Sequence, residues 1–216
     1  MNIKQTSAVL LGALIAAPPV SATVISYTDR PAFEAAAGST SSESFDSFAV
    51  DTSFQVGALD AGAFSISMTG APEGGSYNQI DVPPLVSPES DVNGTAHMRV
   101  FTDDSPQANL VITFDEAITA FGADFRSLND VIARTQIEAA GQTLLTPLSE
   151  SSGLLTFFGF VSDVAFTSVT FTGLANDVYG IDDVTWSTAS VPEPGILGLL
   201  GAGLVGLALT RRRRAA

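Results

Sequence analysis

The sequence lacks cysteine and is poor in basic residues. The absence of cysteine excludes disulfide bonds, thiolate metal ligands and thiol nucleophiles. All 23 acidic residues lie between Asp29 and Glu193, and this interval contains no lysine and only four arginines, so its formal charge is −19. Such a charge repels phosphate backbones. We therefore expect no nucleic acid among the partners.

Histidine is almost absent as well. The sole histidine, His97, lies in the strand-like run AHMRVFT (96–102), and no G-x-S-x-G nucleophile motif accompanies it. Paired carboxylates can act as glycosidase acid and base, but Asp103-Asp104 and Asp115-Glu116 stand at the ends of strand-like runs, as solvated turn residues do. The sequence thus favours a protein that is not an enzyme, with a two-carboxylate hydrolase as the weaker reading.

What the sequence does contain is a series of short β-like runs. They are rich in Val, Ile, Thr and Phe, several alternate with period two, and Gly, Asp, Ser and Pro separate them. The runs cover 63–70, 96–102, 108–115, 117–127, 134–141, 154–163, 166–173 and 179–187. This pattern predicts an all-β fold, an antiparallel β-sandwich of the jelly-roll type.

One short helix is expected before these runs. Thr28 or Asp29 can cap it, Pro31 suits its first turn and Gly38 ends it. The segment 70–94 is rich in proline and glycine and has little periodicity, so we expect a long loop over the sheet.

The first 22 residues have the pattern of a secretory signal peptide. Lys4 supplies a positive start, an apolar stretch follows over 8–17, and Val20-Ser21-Ala22 offers a small-residue cleavage site. Signal peptidase is therefore an expected partner, and we expect the mature protein to begin near Thr23.

The last part of the sequence has a second unusual pattern. Val191, Pro192, Glu193 and Pro194 precede an apolar segment, 196–209, that contains four glycines, and Arg211, Arg212, Arg213 and Arg214 follow it. A spanning helix needs about 20 apolar residues, so this segment is a marginal anchor. The arginines would remain in the cytoplasm by the positive-inside rule.

This constellation resembles the PEP-CTERM sorting tail. The resemblance implies recognition by an exosortase, a membrane-embedded cysteine protease or transpeptidase of Gram-negative bacteria that make exopolysaccharide, with a transient stay in the inner membrane. A plain hydrophobic anchor is the alternative. The expected organisation is a signal peptide (1–22), a β-sandwich domain (23–188) and a sorting tail (189–216).

The body resembles a common group of PEP-CTERM proteins through AFGADFRS (120–127), FFGFVSDVAFTSVTFTG (157–173) and YGIDDVTWS (179–187). IDDVTW (181–186) is also similar to the last strand of jelly-roll carbohydrate-binding and adhesion modules, several of which hold a structural calcium. We expect an exported, non-enzymatic component of the cell envelope or extracellular matrix. The alternative is a module that binds extracellular polysaccharide, with Tyr77 and Tyr179 as candidate ring platforms.

A calcium ion is the one cofactor that the residues suggest. Asp182 shares parity with Val184 and Trp186, so it points inward if those two face the core. A buried carboxylate must be paired, protonated or bound to metal. Asp182 or Asp183, with Asp46 from ESFDSF (43–48), could hold structural calcium. Ordinary hydrogen bonding or exposure at a strand end is the alternative.

Overall fold

The fold is antiparallel β with one short helix, as predicted. The computed structural model describes residues 22–85, 88–130, 132–146, 148 and 153–189. Helix α1 spans Arg30–Ala37. Strands β1 to β12, in chain order, are Val24–Tyr27, Ser41–Glu43, Thr52–Ser53, Leu59–Asp60, Phe64–Gly70, Gln79–Asp81, His97–Asp104, Gln107–Arg126, Thr135–Ala139, Gln142–Leu144, Leu155–Gly173 and Asp177–Thr188. The predicted signal peptide, except for Ala22, and the predicted sorting tail, except for Ala189, lie outside the described residues.

Two long strands, β8 and β11, organise the whole sheet. They have 20 and 19 residues and pair with each other on both sides of an irregularity between Val161 and Phe166. The sequence predicted each of them as two separate strands, which was wrong. The polar residues at 115–116 and 163 mark an irregularity in the pairing rather than a turn, because both partners resume their ladder beyond it.

The halves of these long strands belong to two facing layers. One layer has the order β4, β5, first half of β8, second half of β11, β9, β10. The other has the order β1, first half of β11, second half of β8, β12, β7, β6, β3, with β2 also on β12. Aromatic side chains fill the space between the layers: Phe64 and Trp186 lie with ring centroids 5.5 Å apart, and Phe125 and Phe171 5.9 Å apart. The predicted β-sandwich is thus confirmed.

Helix α1 begins and ends where its capping residues predict. The Asp29 carboxylate accepts a hydrogen bond from the Ala32 N–H at 3.0 Å, and Gly38 donates its N–H to the Glu34 carbonyl at 3.0 Å. The helix buries Phe33 against the outer face of the sheet, where the absence of side chains at Gly122 and Gly159 leaves room for the Phe33 ring.

The segment predicted as a loop, 70–94, is interrupted by β6, which pairs with β7, so that prediction was wrong in part. The later portion of this segment lies over β12. The Ser90 carbonyl oxygen occupies the place where a Cβ on Gly180 would be, and the Ser127 hydroxyl donates to the Glu89 carbonyl at 2.7 Å. We call residues 88–95 the covering loop, because it buries the outer face of β12.

Candidate functional site

Asp182 is the most unusual polar residue beneath the covering loop. Its side chain is fully buried. One carboxylate oxygen, Oδ1, accepts the N–H of Asp183 at 2.7 Å, while Oδ2 has no hydrogen-bond partner among the described residues. Leaving a buried carboxylate oxygen unsatisfied is costly unless the group is neutral or meets a cation.

The sequence predicted this burial but placed Asp182 on the wrong face. Tyr179 and Ile181 belong to the core, and so do Val184 and Trp186. The β12–β8 register shifts between Asp182 and Thr185, where Asp183 has a φ of 48°. This β-bulge moves the inward set by one position, so Asp182 faces outward with Gly180 and is buried by the covering loop.

The surroundings of Asp182 are acidic. Burial raises the pKa of the Asp182 carboxyl to about 8, and the Asp183 and Asp46 carboxylates act in the same direction. The hydrogen bond from the Asp183 N–H and the side-chain amide of Asn93 partly offset this rise in the pKa. Asp46 and Asn93 are exposed, so the buried carboxylate lies beneath a polar rim.

The three carboxylates named by the sequence do not form a compact cluster. Across residues 22–85, 88–130, 132–146, 148 and 153–189, no three His, Asp or Glu side chains are placed to hold a metal ion together. Asp46 lies in the turn after β2, since only Glu43 of the segment 43–48 is in a strand. Burial and, to a smaller extent, the Asp183 carboxylate raise the pKa of the Asp124 carboxyl. Arg30 opposes this rise through an ion pair with Asp124 at 3.1 Å.

The single histidine is inaccessible. His97 is fully buried, and its Nδ1 lies 3.1 Å from the Thr95 carbonyl oxygen. This contact identifies Nδ1 as the protonated nitrogen. The other nitrogen, Nε2, is buried and has no hydrogen-bond partner within the described part of the chain.

The two tyrosines proposed as sugar platforms have different positions. Tyr179 is fully buried and packs 6.2 Å from Phe171, so it cannot present its ring to a sugar, and that prediction was wrong. Because β12 begins at Asp177, Tyr179 lies inside the strand and shares the core face with Ile181. Tyr77 is partly exposed, and the Arg99 guanidinium covers its ring at 4.5 Å.

A buried polar network around Asp177 was not found from the sequence. Its Oδ2 accepts the Thr135 hydroxyl at 2.8 Å and the Asn129 N–H at 3.2 Å. Burial raises the pKa of this carboxyl to about 6, against the effect of both hydrogen bonds. The partners are 42 and 48 residues away in the chain, so no local pattern signals them.

Of the acidic pairs considered for glycosidase chemistry, Asp103-Asp104 stands at the end of β7, as expected. Asp115-Glu116 lies inside β8 instead of at a strand end, so that prediction was wrong. Asp104, Asp115 and Glu116 are exposed. Asp103 is an exception, since it is buried and accepts the Asn176 amide at 3.2 Å. The expectation of a solvated turn residue was therefore wrong for Asp103.

A groove with a volume of about 700 Å³ lies beside the β9–β10 hairpin. Polar side chains from β9, β10 and the second half of β11 line it, including Glu138, Gln142, Thr143, Ser168 and Thr170. Hydroxyl, amide and carboxylate groups of this kind can hydrogen-bond to the hydroxyls of a sugar.

The comparison with known families concerns the last part of the chain. Residues 190–214 match the family model of the PEP-CTERM protein-sorting motif. The protein is thus an exported exosortase substrate. It leaves through the membrane and is sorted to the cell envelope or the extracellular space.

The matched sorting motif includes Val191 to Pro194 and Arg211 to Arg214, all of which lie outside the described residues. Within the residues that the structure describes, no helix is long and apolar enough to cross a membrane. The chain matches none of the curated proteins with which it was compared.

Proposed function

We propose that the sandwich of this exosortase substrate is a non-enzymatic interaction component of the cell envelope or extracellular matrix. The observation that supports this most is the sorting motif at 190–214, attached to a lysine-free acidic body. Signal peptidase and the inner membrane are partners of the chain only during export. The negative charge of the body makes nucleic acid an unsuitable partner.

The position of the polar groups supports a role without catalysis. A general base must come within about 3 Å of the proton that it removes. His97 is buried against Thr95, and the carboxylates with the most strongly raised pKa, Asp177 and Asp182, are buried as well. These groups are suited to holding the fold rather than to meeting a substrate.

A second candidate function, polysaccharide binding, is favoured by the groove beside β9 and β10. Its hydrogen-bonding side chains Glu138, Gln142 and Thr170 come from three strands, β9, β10 and β11, which hold them more rigidly than a loop would. Phe166 also lines the groove but is buried, so the groove offers hydrogen bonds rather than an aromatic stacking platform.

A glycan array with the full-length protein separates the two functions. If the protein is a structural component, it should bind no glycan on the array and should hydrolyse no polysaccharide substrate. It should also remain in the matrix fraction of producing cells. Binding to a defined glycan that is lost in Gln142→Ala and Thr170→Ala would favour the second function. Release of reducing ends from a polysaccharide would overturn the non-enzymatic proposal.

A further inference from the structure

The sandwich has two unlike ends. At one end β8 and β11 pass together from one layer to the other, and we call their residues 115–118 and 161–166 the bend. At the opposite end β8 begins beside the end of β11, where the Gln107 amide donates to the Gly173 carbonyl oxygen at 3.0 Å. The first half of β8 separates the two ends by about 30 Å, since an antiparallel strand rises about 3.4 Å per residue.

Both termini of the sandwich lie at the bend. The Thr23 N–H donates to an Asp163 carboxylate oxygen at 2.7 Å, and the Ala189 N–H donates to the Ala117 carbonyl oxygen at 2.8 Å. Two membrane-directed segments, the predicted signal peptide and the sorting tail, are thus joined to the same end of the sandwich. The loops of the opposite end are attached to neither segment.

The connection between the sandwich and the sorting motif is short. Val191, the first residue of the motif, is two positions beyond Ala189, and two residues of fully extended chain span at most about 7 Å. Ile196, where the apolar segment begins, is seven positions beyond Ala189 and therefore at most about 25 Å away. A membrane protease that grips the motif must consequently bring its own surface against the bend.

A small pocket opens at the bend, directly beside the exit of the tail. It has a volume of about 210 Å³, and Thr188, the last residue of β12, forms part of its wall. Phe114 and Trp186 are buried and give the pocket an apolar floor. Asp115 and Glu116 also line the pocket but are exposed. The pocket thus combines an apolar surface with two carboxylates that are open to solvent.

The sandwich does not neutralise the charges of Asp115 and Glu116. Within the described residues, every ion pair involves Arg30 or Arg134, and none involves these two carboxylates. A lysine or arginine side chain of a partner suits such a place. Its hydrocarbon stem can lie on the apolar floor while its charged end meets the carboxylates.

We propose that the bend is the surface of the sandwich that contacts the exosortase, and that its pocket receives a basic side chain from the part of the exosortase outside the membrane. The inference rests on exosortase sorting and goes beyond it, because it gives the body, and not the tail alone, a part in recognition. The tail brings the two proteins together, and opposite charges at the pocket speed and orient their encounter.

Charge reversal at the pocket tests the proposal. In a host that has the exosortase, Asp115→Lys with Glu116→Lys should slow the loss of the tail about tenfold, since like charges then meet at the interface. The rate is measured from the mass of pulse-labelled full-length protein over time. Asp104→Lys with Glu73→Lys makes the same change of charge on exposed residues near the opposite end and should be processed at the parent rate. Melting temperatures of the three proteins should be equal, which excludes unfolding as the cause.

Photo-cross-linking is a second test that leaves the charges unchanged. A benzophenone side chain in place of the exposed Val164, at the bend, should become joined to the exosortase. One in place of the exposed Leu174, at the opposite end, should not. Equal processing of the parent and the pocket variant, equal slowing of both charge-reversed proteins, or equal cross-linking from both positions would overturn the proposal. A parent that keeps its tail in the presence of the exosortase would overturn exosortase sorting as well.

Discussion

The carbonyl oxygen of Ser90 fills the space that a side chain on Gly180 would need. The covering loop can approach β12 this closely only because residue 180 has no Cβ. Asp182, two residues further along the strand, is buried as a result. One glycine on β12 thus determines whether the candidate site is covered or open.

We predict that Gly180→Ala destabilises the full-length protein by about 2 kcal/mol or more, since the added methyl group meets backbone rather than a movable side chain. Gly57→Ala is the matched control, because nothing lies within 4 Å of a Cβ at that position. Urea unfolding should show a lower midpoint for Gly180→Ala only. Equal midpoints for parent and Gly180→Ala would contradict this account of the covering loop.

Stability should depend on pH through Asp177. Its folded-state pKa of about 6 exceeds the ordinary value of 3.8, so the folded state holds the proton more tightly than the unfolded chain does. The contribution of this group is complete below about pH 4 and is lost as the pH rises to about 6. The loss is at most about 3 kcal/mol.

The measurement is the free energy of unfolding of parent and Asp177→Asn between pH 4 and pH 8. The difference between them should change mainly between pH 4 and pH 6, because asparagine can still accept from Thr135 and Asn129 but does not titrate. Asp104→Asn serves as an exposed control. An identical pH dependence of parent and Asp177→Asn would show that Asp177 does not titrate in this window.

The mature N-terminus is expected near Thr23, a residue that lies beside Asp163 in the structure. The backbone nitrogen of Thr23 lies 2.7 Å from an Asp163 carboxylate oxygen. Cleavage after Ala22 would turn this amide into an α-ammonium group, and the hydrogen bond would become an ion pair worth about 0.5 kcal/mol at such an exposed place. N-terminal sequencing of the exported protein checks the cleavage site. A sequence that still begins at Met1 would refute it.

Alternation and capping residues were enough to predict most of the fold. Leu110, Ile112 and Phe114 are buried at every second position, as their period indicates. Asp29 begins the helix through its side-chain oxygen, and Gly38 ends it through its backbone freedom. Both effects act on residues that are close in the sequence. Such signals involve neighbours in the chain, and for that reason they can be read without a structure.

The candidate site depends on long-range relationships that the sequence does not display. The bulge at Asp183 reverses the face that parity assigned to Asp182, since one extra residue shifts every side chain beyond it. The burial of Tyr179 follows from a strand that starts two residues earlier than its apolar pattern does. The covering loop lies at the end of the proline-rich segment 70–94, whose sequence does not indicate which part lies over β12. Its position is therefore visible only in the folded chain.

The sorting tail gives the most direct test of the account. The prolines at 192 and 194 should keep the motif extended, since each ring removes a hydrogen-bond donor and disfavours helix at the residue before it. Replacing Pro192-Glu193-Pro194 by alanines should extend the helix outward. The variant should then stay uncut in the inner membrane of a host that has the exosortase. Deletion of 190–216 should release a folded body, and Ser190→Ala is the matched control.

The decisive measurement is the mass and cell fraction of this alanine variant beside the parent, in hosts with and without the exosortase. We expect the parent to lose its tail and reach the envelope or medium only where the exosortase is present. The alanine variant should keep its full mass in the inner membrane in both hosts. If the alanine variant is processed and exported like the parent, the tail is a plain anchor and the exosortase account is wrong.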